Sequence, residues 1–191
     1  WASRPRAKGI TLNSLNLFLP EAFATTFLAP YYKPADEWLK MNSTASRQSI
    51  NVNHNLANIF PPQKYAQTNP DIYEMRNGKR LIPQAGSTAW QPSLVAPELP
   101  ALTMDYIRLA RQKNPNLKYI SLGMMDTDFH DETPAAVASV EKYGDYSQLY
   151  FTYVNNVAKL VEKEFPGVYV TAYIYSNVRK PPVGMRFESN V

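Results

Sequence analysis

Four acids and a histidine lie within seven residues of this chain, in the segment Asp126-Thr127-Asp128-Phe129-His130-Asp131-Glu132. Asp126 directly follows Lys118 to Met125, a short apolar segment with the pattern of a buried strand. In parallel sheets, functional groups collect beyond the carboxyl ends of the strands, where successive loops converge. The segment can therefore supply a general acid, a general base or oxygen ligands for a hard cation. Asp126 and Asp128 are the predicted catalytic residues. The alternative is a solvated acidic loop before a helix that starts at Thr133-Pro134.

Four further side chains are predicted to bind substrate. His54 ends a strand candidate, Arg47 to Asn53, and His130 lies in the acidic loop itself. Tyr175 ends a second strong strand candidate that begins at Val168, so it is placed like Asp126 on the next strand. Trp90 lies in a proline-punctuated loop, where an exposed indole offers a stacking face to a sugar ring. The alternatives are a structural histidine and core packing of the two aromatic rings.

Metal and cofactor chemistry have weak support, and we expect neither. Asp126 and Asp128 have oxygen-ligand spacing, but the central glycine and terminal glutamate of an EF-hand are missing. The two histidines are far apart along the chain, which disfavours zinc. The sequence also has no nucleophile elbow, phosphate loop or dinucleotide fingerprint.

The elements that must position these residues alternate between strands and helices. Apolar residues at helical spacing predict an amphipathic helix over 99–113 and a longer one that Asp145 caps and Pro166-Gly167 ends. With strands at 118–125 and 168–175, the order predicts a right-handed βαβ crossover with parallel strands. Asn77-Gly78 indicates a hairpin or tight turn.

Composition excludes several classes of protein. The net charge of +4 is not gathered into a patch, so nucleic-acid binding is not expected. Cysteine is absent, which excludes disulfides and thiolate chemistry, and no stretch is long and apolar enough for membrane insertion. Thirteen tyrosines suit a protein that handles sugars or peptides, or a half-buried aromatic rim. Because the chain opens on Trp1 without an initiating Met, we expect a fragment of a larger parent chain with other domains.

A series of short motifs over roughly residues 36 to 191 resembles one bacterial family, domain of unknown function 4838. The motifs are His54, Pro61-Pro62, Tyr65, Asn69-Pro70, Asn77-Gly78-Lys79-Arg80, Gly144-Asp145-Tyr146-Ser147, Phe165-Pro166, Ala172 to Asn177 and Pro181-Pro182. The resemblance implies a (β/α) barrel related to glycosidases of hexosaminides and glucuronides, in proteins that are secreted, periplasmic or at the cell surface. Family members place an Asn-Asp pair after the strand that precedes the long helix; here that pair reads Met125-Asp126.

These observations predict an α/β fold, a partial (β/α) TIM-type barrel with parallel strands and long ordered loops. Residues 1–35 are expected to be an irregular lead-in segment, and residues 36–191 to be part of the barrel domain. The predicted function is hydrolysis of glycosidic bonds in a glycan, with Asp126 as general acid or as an acid that positions the substrate. The alternatives are a non-catalytic carbohydrate-binding or surface-interaction domain and, less favoured, a metal-dependent hydrolase.

Overall fold

The computed structural model describes residues 52–191, which belong to one compact unit, Asn51–Val191. The predicted lead-in at 1–35, the proposed boundary at residue 36 and most of the strand candidate Arg47–Asn53 lie outside the described residues.

The described chain begins with short elements and a hairpin. Two single-turn helices, α1 (Leu56–Ile59) and α2 (Pro62–Tyr65), precede a 3₁₀ turn at Pro70–Ile72. Strands β1 (Met75–Arg76) and β2 (Lys79–Arg80) then pair antiparallel. Asn77 and Gly78 join them with φ angles of 51° and 69°, a conformation that these two residue types tolerate. The predicted turn is confirmed.

The second half of the unit contains the βαβ crossover. Helix α3 (Leu99–Lys113) leads to β3 (Tyr119–Ser121), and β4 (Tyr169–Thr171) pairs with it in parallel. Between the strands lie α4 (Pro134–Tyr143), with Thr133 as its N-cap residue, and α5 (Ser147–Glu164). The predicted order of two parallel strands joined through helices, the helix over 99–113 and the helix start at Thr133-Pro134 are confirmed, although the strands are shorter than predicted.

The core lies between the parallel strands and helices α3 and α5. Helix α5 buries a stripe at helical spacing, which consists of Tyr150, Val154, Val157, Ala158 and Val161. Its Tyr153 hydroxyl lies 2.9 Å from the Thr103 hydroxyl of α3, and its Tyr150 hydroxyl donates to the Leu122 carbonyl, 3.0 Å away, just beyond β3. The long helix is therefore fixed to both its neighbouring helix and the strand that leads to the acidic loop.

The predicted partial TIM-type barrel is wrong. Within residues 52–191 the structure has only two two-stranded sheets, and the parallel one is extended solely by a single bridge between His54 and Gly123. The strands are shorter than predicted because side chains bind the backbone groups that would continue them. The Gly123 N–H donates to the Ser121 hydroxyl, and the Met124 and Met125 carbonyls accept bonds from side chains.

Candidate functional site

The structure brings His54, Asp126, Tyr173 and Tyr175 together beyond the carboxyl ends of the parallel segments. His54 lies on the segment that bridges to Gly123, Asp126 follows β3, and the two tyrosines follow β4. Three of these residues, His54, Asp126 and Tyr175, are among those predicted from sequence, and their side chains are exposed to solvent. We refer to the four residues as the strand-end cluster.

His54 is oriented by a backbone carbonyl and a tyrosine. Its Nδ1 lies 2.5 Å from the Met124 carbonyl oxygen and also contacts the Tyr173 hydroxyl, which donates to the same carbonyl over 2.7 Å. Because a carbonyl only accepts, we assign the proton to Nδ1, so that Nε2 is the ring nitrogen that can accept a hydrogen bond. The pKa of Tyr173 is raised to about 12, first by burial and then by the charges of Tyr175 and Asp126, so its hydroxyl stays a donor at neutral pH.

Tyr175 and Asp126 form a direct pair. The Tyr175 hydroxyl donates a hydrogen bond to Oδ1 of Asp126. This bond is the main reason why the pKa of Tyr175 is raised, and the negative charges of Asp126 and Asp128 add to it. The rings of His54, Tyr173 and Tyr175 lie edge to face, with centroids 5.5 to 6.0 Å apart. The cluster therefore combines one carboxylate, one imidazole nitrogen and exposed aromatic surface.

Gly123 permits the close approach of these segments. A Cβ atom at this position would overlap the Asn53 carbonyl oxygen and the Tyr173 ring, and would lie 3.0 Å from the Asn53 carbonyl carbon. The missing side chain thus lets the segment that carries His54 lie against the end of β3. Sequence reasoning missed this glycine, although an isolated glycine within a strand pattern signals close backbone approach.

A tight turn after β4 presents Tyr175. The Val178 N–H donates to the Tyr175 carbonyl over 2.9 Å, and Ser176 has a φ angle of 53°, which is uncommon for serine. In the same turn, the Asn177 amide exchanges two hydrogen bonds with the Phe129 backbone, at 3.1 and 2.7 Å. The turn that carries Tyr175 is therefore tied to the acidic loop that carries Asp126.

The remaining predicted residues lie in different environments. Asp128 is partly exposed, and no hydrogen bond or ion pair with residues 52–191 holds its carboxylate. His130 is exposed, and its backbone N–H donates to Oε2 of Glu74 over 3.1 Å. Trp90 is only 1% exposed, its ring packs against Tyr73 at 5.3 Å, and its Nε1 donates to the Ser87 carbonyl. The structure places Trp90 in the core, as the alternative interpretation had it, and leaves no open indole face beside the strand-end cluster.

Asp131 has a structural environment. It is 2% exposed, and its carboxylate accepts bonds from the Met75 N–H at 3.0 Å, the Ser93 hydroxyl at 2.5 Å, and both the N–H and the hydroxyl of Thr133. These bonds join the hairpin, the loop before α3 and the start of α4. The carboxylate of Asp131 therefore stabilises the acidic loop.

The described part of the chain contains neither a metal-binding group of side chains nor a membrane-spanning helix. No group of three or more histidine, aspartate or glutamate side chains among residues 52–191 is arranged to hold a metal ion. None of the helices in this part is both long and apolar enough to cross a membrane.

The described unit is a domain of helices and two short two-stranded sheets, and the strand-end cluster lies beyond its parallel pair of strands. The family described as domain of unknown function (DUF4838) matches residues 13–191, and the chain belongs to this family. No curated protein and no solved structure matches the chain.

Proposed function

We propose that the strand-end cluster is a carbohydrate site at which the domain hydrolyses glycosidic bonds, with Asp126 as general acid or as an acid that positions the substrate. One observation carries the proposal: Asp126 lies in an exposed group with Tyr175 and His54, so that proton-transfer groups and aromatic surface meet in one place. Sugars present both hydroxyls and apolar C–H faces, and such a mixed surface suits them.

Each member of the cluster has a chemical role in this proposal. His54 accepts a bond from a sugar hydroxyl through its free Nε2, and Tyr175 contributes a ring that is 41% exposed beside the carboxylate. The Tyr175 hydroxyl donates to Asp126. A bound hydroxyl or glycosidic oxygen would compete for that carboxylate.

Glycoside hydrolysis ordinarily uses a second carboxylate, and Asp128 is the leading candidate in this chain. It follows Asp126 by two residues in the same loop, and its charge is among the causes of the raised pKa of Tyr175. It is also free of hydrogen bonds to residues 52–191, whereas the nearby Asp131 is buried and fully engaged. The acetamido group of a substrate would be an alternative nucleophile.

The first test is turnover on a panel of glycosides and glycans by the whole chain. We expect sugar release by the wild type, loss of at least about 100-fold for Asp126→Asn, as for removal of a general acid, and retained binding. Glu132→Gln is the matched control, because it neutralises an exposed acid of the same loop. Equal turnover by Asp126→Asn and the wild type would reject Asp126 as the acid.

A non-catalytic carbohydrate-binding domain is the second candidate. It is favoured by the Tyr175–Asp126 bond, because a carboxylate that already accepts a hydrogen bond from a phenol is suited to orienting a sugar hydroxyl in the same way. We then expect glycan binding without turnover, weakened about 5- to 10-fold by Tyr175→Phe, the effect of losing one hydrogen bond worth about 1 kcal/mol. Tyr169→Phe is the matched control, since Tyr169 is 44% exposed and lies on β4. Equal affinities for Tyr175→Phe and Tyr169→Phe would contradict a binding role for this hydroxyl.

A further inference from the structure

Gln91 is a fully buried amide next to the candidate acid. Its Nε2 donates to the Met125 carbonyl at 3.0 Å and to the Thr127 carbonyl at 2.6 Å. Its Oε1 accepts from the Met125 N–H at 3.1 Å. All three bonds are to backbone groups of the residues on either side of Asp126.

These bonds take the place of the backbone hydrogen bonds that a neighbouring strand would make with Met125 and Thr127. In the described chain, the pairing of β3 with β4 ends at Ser121, so no neighbouring strand pairs with Met125 or Thr127. The two residues are joined to each other by a bond of 2.8 Å from the Thr127 N–H to the Met125 carbonyl. The Gln91 side chain therefore supplies the partners of the Met125 N–H and the Thr127 carbonyl, and a second donor to the Met125 carbonyl. With both flanking peptide groups fixed, the direction of the Cα–Cβ bond of Asp126 is restricted.

We propose that Gln91 is a positioning residue of the strand-end cluster, which holds the backbone on both sides of Asp126 and so sets where that carboxylate meets Tyr175. The functional meaning of this assignment rests on the proposed function. The geometry that it predicts can be tested in the protein without any ligand.

The experiment measures the ¹³Cζ resonance of Tyr175 at neutral pH in protein labelled at tyrosine, with Tyr175→Phe to assign the signal. Asp126→Ala gives the position of the resonance when the hydrogen bond is lost. For Gln91→Met we expect the resonance to move at least half of the way to that position. If Gln91→Met fails to fold, Gln91→Asn serves instead, because it keeps the amide but is too short to reach both carbonyls.

Asn190 provides the matched control. It is also a buried amide whose Nδ2 donates to two backbone carbonyls, those of Ala158 at 2.9 Å and Val168 at 3.3 Å, but these lie on α5 and before β4. Asn190→Leu should lower the melting temperature while leaving the Tyr175 resonance in place. A Gln91 variant that is less stable but keeps the wild-type resonance would overturn the positioning role. Since no glycan is present, this outcome is independent of whether the proposed hydrolysis is found.

Discussion

Asp126 and Asp131 are the same residue type in one short loop, yet their surroundings differ completely. Asp131 is buried and accepts four hydrogen bonds from Met75, Ser93 and Thr133. Asp126 is exposed, and its hydrogen-bond partner within residues 52–191 is the Tyr175 hydroxyl. A buried carboxylate is stable only when its oxygens are bonded, and such a group is not available to a substrate. Asp131 therefore stabilises the loop, whereas Asp126 is held by the loop in a position that is open to solvent.

The largest expected effect is that of Asp131→Ala. The substitution leaves the buried donors of Ser93 and Thr133 and the half-buried N–H of Met75 without an acceptor, and each unsatisfied buried donor costs about 1–3 kcal/mol before relaxation. We expect a loss of about 3 kcal/mol in the free energy of unfolding, or a melting temperature lower by about 6–12 °C. Urea unfolding followed by circular dichroism measures it.

Asp126→Ala is the matched control for this prediction. Because its side chain is exposed, we expect a change within about 0.5 kcal/mol. An equal loss of stability in the two variants would show that Asp126 also has a structural role, and the comparison between the two acids would fail.

The sequence predicted elements well where a local pattern specifies them. The helix Leu99–Lys113 has the bounds expected from its apolar spacing, and Asn77-Gly78 forms the expected turn. Both depend on residues close in sequence. The barrel was predicted wrongly because strand length depends on distant partners, and here those partners are the side chains of His54, Tyr173 and Gln91.

The candidate site was predictable only in part for the same reason. Position after a strand was enough to select Asp126 and Tyr175, whose pairing the structure now shows. No local pattern distinguishes Gln91 from any other glutamine in a proline-rich loop, because its three bonds are to residues more than 30 positions away. Trp90, one position earlier, was selected for its ring, but the ring packs against Tyr73.

A smaller effect is expected from Gly123→Ala, which changes the packing beside the exposed strand-end cluster and leaves the buried bonds of Asp131 in place. The added methyl group overlaps the Asn53 carbonyl and the Tyr173 ring, so the segment that carries His54 must shift. Overpacking of this kind costs about 2 kcal/mol. We expect that loss together with displaced His54 and Tyr175 ring resonances, measured by urea unfolding and NMR.

Gly86→Ala is a suitable control for Gly123→Ala. Its φ angle of 81° makes alanine strained, but nothing lies within 4 Å of the added atom. It should lose about 1 kcal/mol, the cost of a left-handed conformation for alanine, without any change at His54. If Gly123→Ala leaves the His54 and Tyr175 resonances unchanged, the close approach does not position the cluster.

The smallest expected effect concerns Glu74, a second buried acid that holds the loop through the His130 N–H. Burial raises its pKa, while the charge of Arg76 and the His130 bond oppose the rise. A carboxyl with a raised pKa binds its proton more tightly in the folded chain, so its contribution to stability is present at low pH. That contribution is lost as the pH rises from the usual glutamate value, 4.5, through the folded pKa.

Glu74→Gln should therefore flatten the pH dependence of stability, because the amide stays neutral. Between about pH 4.5 and 7 we expect the urea midpoint of the wild type to fall relative to that of Glu74→Gln, whereas Glu132→Gln, an exposed acid, should parallel the wild type. Parallel curves for all three proteins would mean that the Arg76 bond, at 2.6 Å, offsets the cost of burying the charge. Glu74 would then hold the loop as an ion-paired carboxylate, while Asp126 would still be the acid that the loop exposes.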